Sequence, residues 1–466
     1  MSRLARLATG TVQPGTTPAA MSWALGDCLA RHGVGIQRFL SRAVFDSQHS
    51  VGSPTGHPRH LDSWLMDATI CREVFAHGTP CGSLGLVEGA YDCGRFPAQA
   101  RNSLCEASAF GALASGPTPC CRAWGGSLET LCDWLELPKL VVLDVSKLNG
   151  CALPKIPELT SGLLLEGVRD DLEAAKLETL FFSLWGVPVL GTLGRSSRLR
   201  TAMAGLPAGI APSAEARLAL ASELQASLRL DSLMKLAAQP WEAPLTRLFC
   251  PGEDAPPLRI AVAHDEVFGG YFQETLDVLE LRGAGLEVFS PLRDEALPPE
   301  TDVVYFGCGY PERHAAALAE NSCLMLALQE HVCSGRRIYG EGGGMAYLCQ
   351  QIELADGSRY PMVGALPAVA RFRPEAPPPH PVELTFNRNI WLGEGWSRIR
   401  GYLSSRWELW PCGPLSRYAS EPHRDLDFVG RHQTIGSRVH INFAAQVDYL
   451  DSFFQPHAPA LDAAAM

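Results

Sequence analysis

The stretch 236-LAAQPWEAPLTRLFCPGEDAPPLR-259 is rich in proline and shows no apolar period, and it separates two regions that each alternate strand and helix patterns. On its N-terminal side, 139-KLVVLDV-145 and 187-VPVLGTL-193 are short β-branched runs bounded by turn residues. Between them, 169-RDDLEAAKLETLFFSLWG-186 opens with charge and continues with apolar residues at helical spacing. On the C-terminal side, 259-RIAVAHD-265 reads as a strand and 273-QETLDVLELRGAG-285 as a helix. The runs 286-LEVFSPL-292 and 302-DVVYFG-307 read as further strands. Such alternation predicts mostly parallel, doubly wound sheets. We therefore expect an α/β chain with domains at 1–235 and 258–453, a linker at 236–257 and a tail at 454–466. The segment 372-FRPEAPPPHPVEL-384 is expected to be a surface connection.

With 466 residues, each domain can bury a core of its own. A net charge of −11 argues against an extended nucleic-acid surface. The start, MSRLARLATGTVQPGTT, lacks the apolar core of a secretory signal, and the most apolar run, 179-TLFFSLWGVPVLGTLG-194, is broken by Gly and Pro. A cytoplasmic chain without a membrane span is expected. Of the fifteen cysteines none forms a CxxC pair, so free thiols are expected and no metal site is.

The segment 338-IYGEGGGMAYL-348 has the layout of a nucleophile elbow: strand, sharp Gly-rich turn, helix. Its tip is Gly342-Gly343-Gly344, which offers no nucleophile. At the other end of the chain, 10-GTVQPGTTPAAMSWALGDCLARHG-33 occupies the place of a phosphate-binding loop. Such a loop needs Lys to neutralise phosphate and Ser or Thr for Mg²⁺. Here Gly10 and Gly15 are present, the lysine position falls on Thr16 or Pro18 according to register, and the first lysine of the chain is Lys139. Pro18 has no N–H to give a phosphate.

Several segments, in order, resemble the cobyrinate/hydrogenobyrinate a,c-diamide synthases. The run 60-HLDSWLM-66 is similar to that family's NLDSW segment, and 86-LVEGAYD-92 to its VIEG…YDG segment. The run 304-VYFGCGYPERHAAAL-318 is similar to its oxyanion turn, and 338-IYGEGGGMAYL-348 to its YAECGGLMYL elbow. The runs 360-YPMVGALP-367 and 436-GSRVHINFA-444 resemble the following strand and the histidine segment. The resemblance covers nearly the whole chain. It implies an N-terminal P-loop-type domain of the dethiobiotin-synthetase kind and a C-terminal class I glutamine amidotransferase-like, flavodoxin-like domain. It also implies an activity driven by ATP, Mg²⁺ and glutamine on tetrapyrrole carboxylates.

Carried over residue by residue, the resemblance puts the cysteine nucleophile at Gly342, the catalytic histidine at His440 and oxyanion donors at Gly307, Gly309 and Gly343. Glu88 and Asp92 match acidic positions that serve metal and amide-transfer chemistry. Asp46, His49, Arg59, Asp62, Ser63 and Trp64 match substrate-side segments, Arg38 and Arg42 lie near them in sequence, and Arg31 or Arg42 are the candidates to replace the phosphate-binding lysine. Cys308 is either a small buried residue or a substitute thiol, and Cys349 a core residue. Losses at both chemical sites favour a degenerate homologue that binds a tetrapyrrole or a protein partner, with neither ATP binding nor glutamine hydrolysis and no cofactor of its own. A working amidotransferase with rebuilt sites and a structural subunit of an active paralogue, in a homodimer or heteromer, are the alternatives.

Overall fold

The computed structural model describes residues 4–13, 19–41, 58–91, 126–148, 153–194, 212–242, 244, 247–250, 258–377, 379–419 and 427–454. The chain divides into two compact units, the first ending at Pro244 and the second beginning at Leu245.

The first unit runs β1 (Ala5–Thr11), α1 (Ala19–Arg31), β2 (Ile36–Leu40), β3 (Arg59–His60), α2 (Ala68–Gly78), β4 (Leu84–Ala90), α3 (Leu128–Leu135), β5 (Lys139–Asp144), β6 (Thr160–Val168), α4 (Asp171–Trp185), β7 (Val189–Gly194), α5 (Ala214–Gln225) and α6 (Leu230–Ala237). Its seven strands form one sheet in the order β3-β2-β4-β1-β5-β6-β7, with every pair parallel. Parallel strands are buried on both faces, which is why β5 and β6 read as near-continuous apolar runs. Leu7, Leu86, Leu140, Val142 and Leu164 of the sheet pack with Met21, Trp23, Leu25 and Leu29 of α1.

The second unit starts β8 (Leu258–Ala263), β9 (Phe268–Gly270), α7 (Gln273–Leu281), β10 (Ala284–Phe289), β11 (Val303–Phe306), β12 (Cys308–Gly309), α8 (Ala315–Glu320), α9 (Ser322–Cys333), β13 (Arg337–Glu341) and α10 (Gly343–Leu348). It continues with β14 (Cys349–Glu353), β15 (Arg359–Pro361), β16 (Leu366–Phe372), β17 (His380–Thr385), β18 (Arg398–Leu403), β19 (Trp407–Pro411), β20 (Ser416–Ala419), β21 (Phe428–Arg431), β22 (Thr434–Ser437), β23 (Val439–His440) and α11 (Val447–Asp451). The central sheet has the order β10-β8-β11-β13-β22-β21-β20. It is parallel from β10 through β22 and antiparallel at its β21 and β20 edge. One feature of this unit departs from the sequence expectation and another sets the site. The helix expected through 285 stops at Leu281, where Gly283 turns the chain at φ +101°. The strand β13 delivers its C-terminal end to the centre of the sheet, between β11 and β22, where open α/β sheets place their ligands.

Candidate functional site

At the end of β13 the chain turns at Gly342, with φ +51° and ψ −110°, and enters α10 directly. A side chain is strained there, and glycine is not. The Gly342 N–H donates to the Ser437 carbonyl at 2.8 Å, which ties the turn to the end of β22. Gly343 has a second reason to be glycine: a Cβ would lie 2.3 Å from the Gly309 carbonyl oxygen, so α10 presses backbone to backbone on β12.

Cys308, Glu341 and His440 converge beside this turn. Each offers a side-chain N, O or S atom within 4.8 Å of the other two. Three elements supply them: β12, the last residue of β13, and β23. The Glu341 carboxylate accepts from His440 Nδ1, from the Tyr339 hydroxyl at 2.9 Å and from the Ile441 N–H at 3.3 Å. Phe272 stacks on the imidazole at 4.3 Å between ring centroids. The position of the sulfur is the informative part. A Cβ at Gly342 would lie 3.2 Å from Cys308 Sγ, so this thiol fills the space in front of the side-chain-free elbow.

Burial raises the Cys308 pKa, and the adjoining His440 works against that rise. Burial works to lower the His440 pKa, but Cys308 and the Glu341 carboxylate outweigh it and push the ring up to about 10. His440 is thus a cation at neutral pH, held by Glu341. A group with a higher pKa folded than unfolded stabilises the fold while protonated. Its contribution is complete below about pH 6.5 and is lost as the pH rises toward about 10. Melting temperatures taken across that window are expected to fall, and His440→Gln is expected to flatten the slope.

The oxyanion turn is partly engaged. The Gly307 N–H donates to the Tyr271 hydroxyl at 2.9 Å, and that hydroxyl donates to the Ala263 carbonyl at 2.5 Å. Gly309 is partly exposed, whereas Cys308 is 5% exposed. Cys349 is buried, with its thiol on the Met345 carbonyl, away from this cluster.

In the first unit the candidates do not converge in the same way. Glu88 lies buried at the end of β4, in a two-pronged ion pair with Arg38 of β2; the Arg38 Nη2–Glu88 Oε2 distance is 2.9 Å. The Arg38 guanidinium also lies 4.0 Å above the Trp23 ring. Asp62 is fully buried and accepts from the Trp64 N–H at 2.8 Å. Ser63 accepts from the Ser127 N–H at 2.8 Å, just ahead of α3, and the Arg59 stem packs over Gly78. Trp64 is half-buried. Asp62 and Ser63 therefore order the chain between β3 and α2. Gly10 is pressed against Tyr91 and Leu128. Arg31 bonds Ser222 and the Leu218 carbonyl of α5. Gly15, Thr16, Pro18, Arg42, Asp46, His49 and Asp92 lie outside the described residues.

One residue of this unit escaped sequence reasoning. The buried Glu166, from β6, accepts the N–H of Met21 at 3.1 Å in the first turn of α1. Helix N-terminal amides are where a phosphate-binding loop seats its anion. Here a protein carboxylate takes one of them. An acid inside the apolar run 163-LLLEGV-168 was the available signal. Glu341 was likewise missed; it stands inside the elbow motif, one residue ahead of the turn, and its role is set by His440, distant in sequence.

A family model described as CobB/CobQ-like glutamine amidotransferase domain matches residues 259–387. Among curated relatives, the chain is 26% identical to a cobyrinate a,c-diamide synthase of Dehalococcoides mccartyi strain CBDB1, over 97% of both chains. It is 28% identical to one from Syntrophotalea carbinolica over 78% of both. With one from Synechocystis it shares 26% identity over 91% of this chain and 88% of the relative. Among the described residues no helix is long and apolar enough to cross a membrane.

Proposed function

We propose that this chain, a divergent member of the cobyrinate a,c-diamide synthase family, does not carry out nucleotide-driven amide formation and acts by holding a corrinoid- or sirohydrochlorin-type tetrapyrrole. The observation that carries this reading is the Glu166 carboxylate on the Met21 amide. Two anions at one helix end repel each other, and the helix dipole already stabilises the resident one. No lysine in residues 1–138 is there to offset the repulsion. The described residues around α1 therefore do not fit a nucleoside triphosphate with Mg²⁺. The chain's cobyrinate a,c-diamide synthase relatives supply the ligand class. A half-buried Trp64, with Arg59 nearby in sequence, offers a flat apolar face and a cation for peripheral carboxylates.

Equilibrium dialysis with Mg·ATP is expected to show no binding tighter than millimolar in the native chain. Micromolar ATP binding by the native chain would overturn the reading. On the ligand side, titration of micromolar protein with cobyrinate or sirohydrochlorin is expected to shift the ligand's visible absorption. An unchanged spectrum sinks the tetrapyrrole assignment and leaves a protein partner, sought by co-purification from native extract.

A further inference from the structure

We propose that the reactive thiol of the second unit has moved from the elbow to the oxyanion strand, and that Cys308, with His440 and Glu341, is a nucleophilic site for a small primary carboxamide of the glutamine class. This goes beyond the tetrapyrrole reading and does not depend on it, because it concerns a different unit and a different chemistry.

Geometry carries the inference. A cysteine nucleophile needs a neighbouring acid–base group and a third group to orient that neighbour. Cys308, His440 and Glu341 supply the three types within 4.8 Å of one another. The carboxylate that orients the ring is itself fixed by the Tyr339 hydroxyl and the Ile441 amide, and the ring is held flat by Phe272. A buried carboxylate and imidazole with this many fixed contacts are set in one arrangement. The Cys308 sulfur lies 3.2 Å from the place where a side chain on Gly342 would begin. A thiol on the elbow and a thiol on Cys308 would compete for one space. Glycine at 342 resolves that competition in favour of Cys308.

The chemistry balances without a further reagent. The Cys308 thiol loses its proton to solvent beside the protonated His440. The sulfur lone pair attacks the carboxamide carbon, forming C–S. The C–N bond breaks, and His440 gives its proton to the departing nitrogen, which leaves as ammonia. Water then attacks the thioester carbon and gives a proton to His440; C–O forms and C–S breaks. The products are a carboxylate and ammonium, with the thiolate and the imidazolium restored.

The test uses the full chain. Treatment with 6-diazo-5-oxo-norleucine, a glutamine analogue that alkylates a nucleophilic thiol, is followed by peptide mass mapping. The expected result is an adduct on Cys308 that excess glutamine suppresses, with the exposed Cys81, Cys250, Cys323, Cys333 and Cys412 unlabelled. Ammonia release from glutamine is expected in the native chain and in a Cys349→Ala control, and to fall by about 100-fold or more in Cys308→Ser. Labelling confined to the exposed cysteines, no labelling at all, or ammonia release unaltered in Cys308→Ser would each overturn the proposal. The labelling arm needs no variant, so a misfolded substitution does not blunt it.

Discussion

A Gly342→Cys chain is expected to titrate two thiols fewer before reduction than after it, one fewer than the fifteen cysteines of the native chain, and to gain no glutaminase activity. Sequence alignment alone argues the opposite, since it restores the residue that the elbow of the resembled family carries. The structure shows why restoration fails. The new Cβ would stand 3.2 Å from Cys308 Sγ, a separation from which a second sulfur reaches the first at bonding distance. Two thiols so placed form a disulfide in air, and the bridge removes both from the site. The backbone adds a cost: φ +51° with ψ −110° strains any residue with a Cβ by about 1–3 kcal/mol. Thiol titration under denaturing conditions, before and after reduction, reads the bridge directly. Ammonia release should fall well below the native level until a reductant is added. A fully reduced Gly342→Cys chain under air, with raised ammonia release, would show that Cys308 does not occupy the elbow's space. The companion Gly342→Cys/Cys308→Ala, which cannot bridge, separates the effect of the sulfur from that of the strain.

Much of the fold was legible because parallel strands announce themselves. The runs at 139–145 and 302–307 are apolar and β-branched over a strand's length, and the observed β5 and β11 fall inside them. The elbow was legible too, as strand, glycines and helix. What the residues could not show was which partners meet. Glu341 and His440 are 99 positions apart, and only the pairing of β13 with β22 brings them together. Glu166 and Met21 are 145 positions apart, and an acid in an apolar strand does not say which helix end it will face. The reverse also holds. Asp62 and Ser63 match a substrate segment by type, yet their oxygens are engaged by backbone N–H groups of the local turn and of the approach to α3. A residue type in the right motif states what chemistry is available, and the hydrogen-bond partner decides whether it is spent on the fold.

Glu88 shows that distinction at its largest expected effect. By sequence it sits where an acidic residue would serve metal and amide-transfer chemistry. In the structure it is 6% exposed and locked to an Arg38 that is 4% exposed. Breaking a buried ion pair leaves an uncompensated charge away from water, at a cost of about 3–5 kcal/mol, whereas replacing both members with apolar groups of similar size is often close to neutral. Arg38→Met is therefore expected to destabilise the first unit by about 3–5 kcal/mol. Glu88→Leu alone is expected to cost as much, since it strands the guanidinium between β2 and α1, against the Trp23 ring and with only the more distant charge of Asp27 among the described residues to offset it. Arg38→Met/Glu88→Leu should recover most of the loss. Urea unfolding followed by far-UV circular dichroism measures all three. Single variants that keep native stability while weakening the absorption shift of a titrated tetrapyrrole would return Glu88 to the ligand site. Large single losses with recovery in the double variant instead assign the pair to holding β2 against β4, the scaffold on which any ligand of this unit must rest.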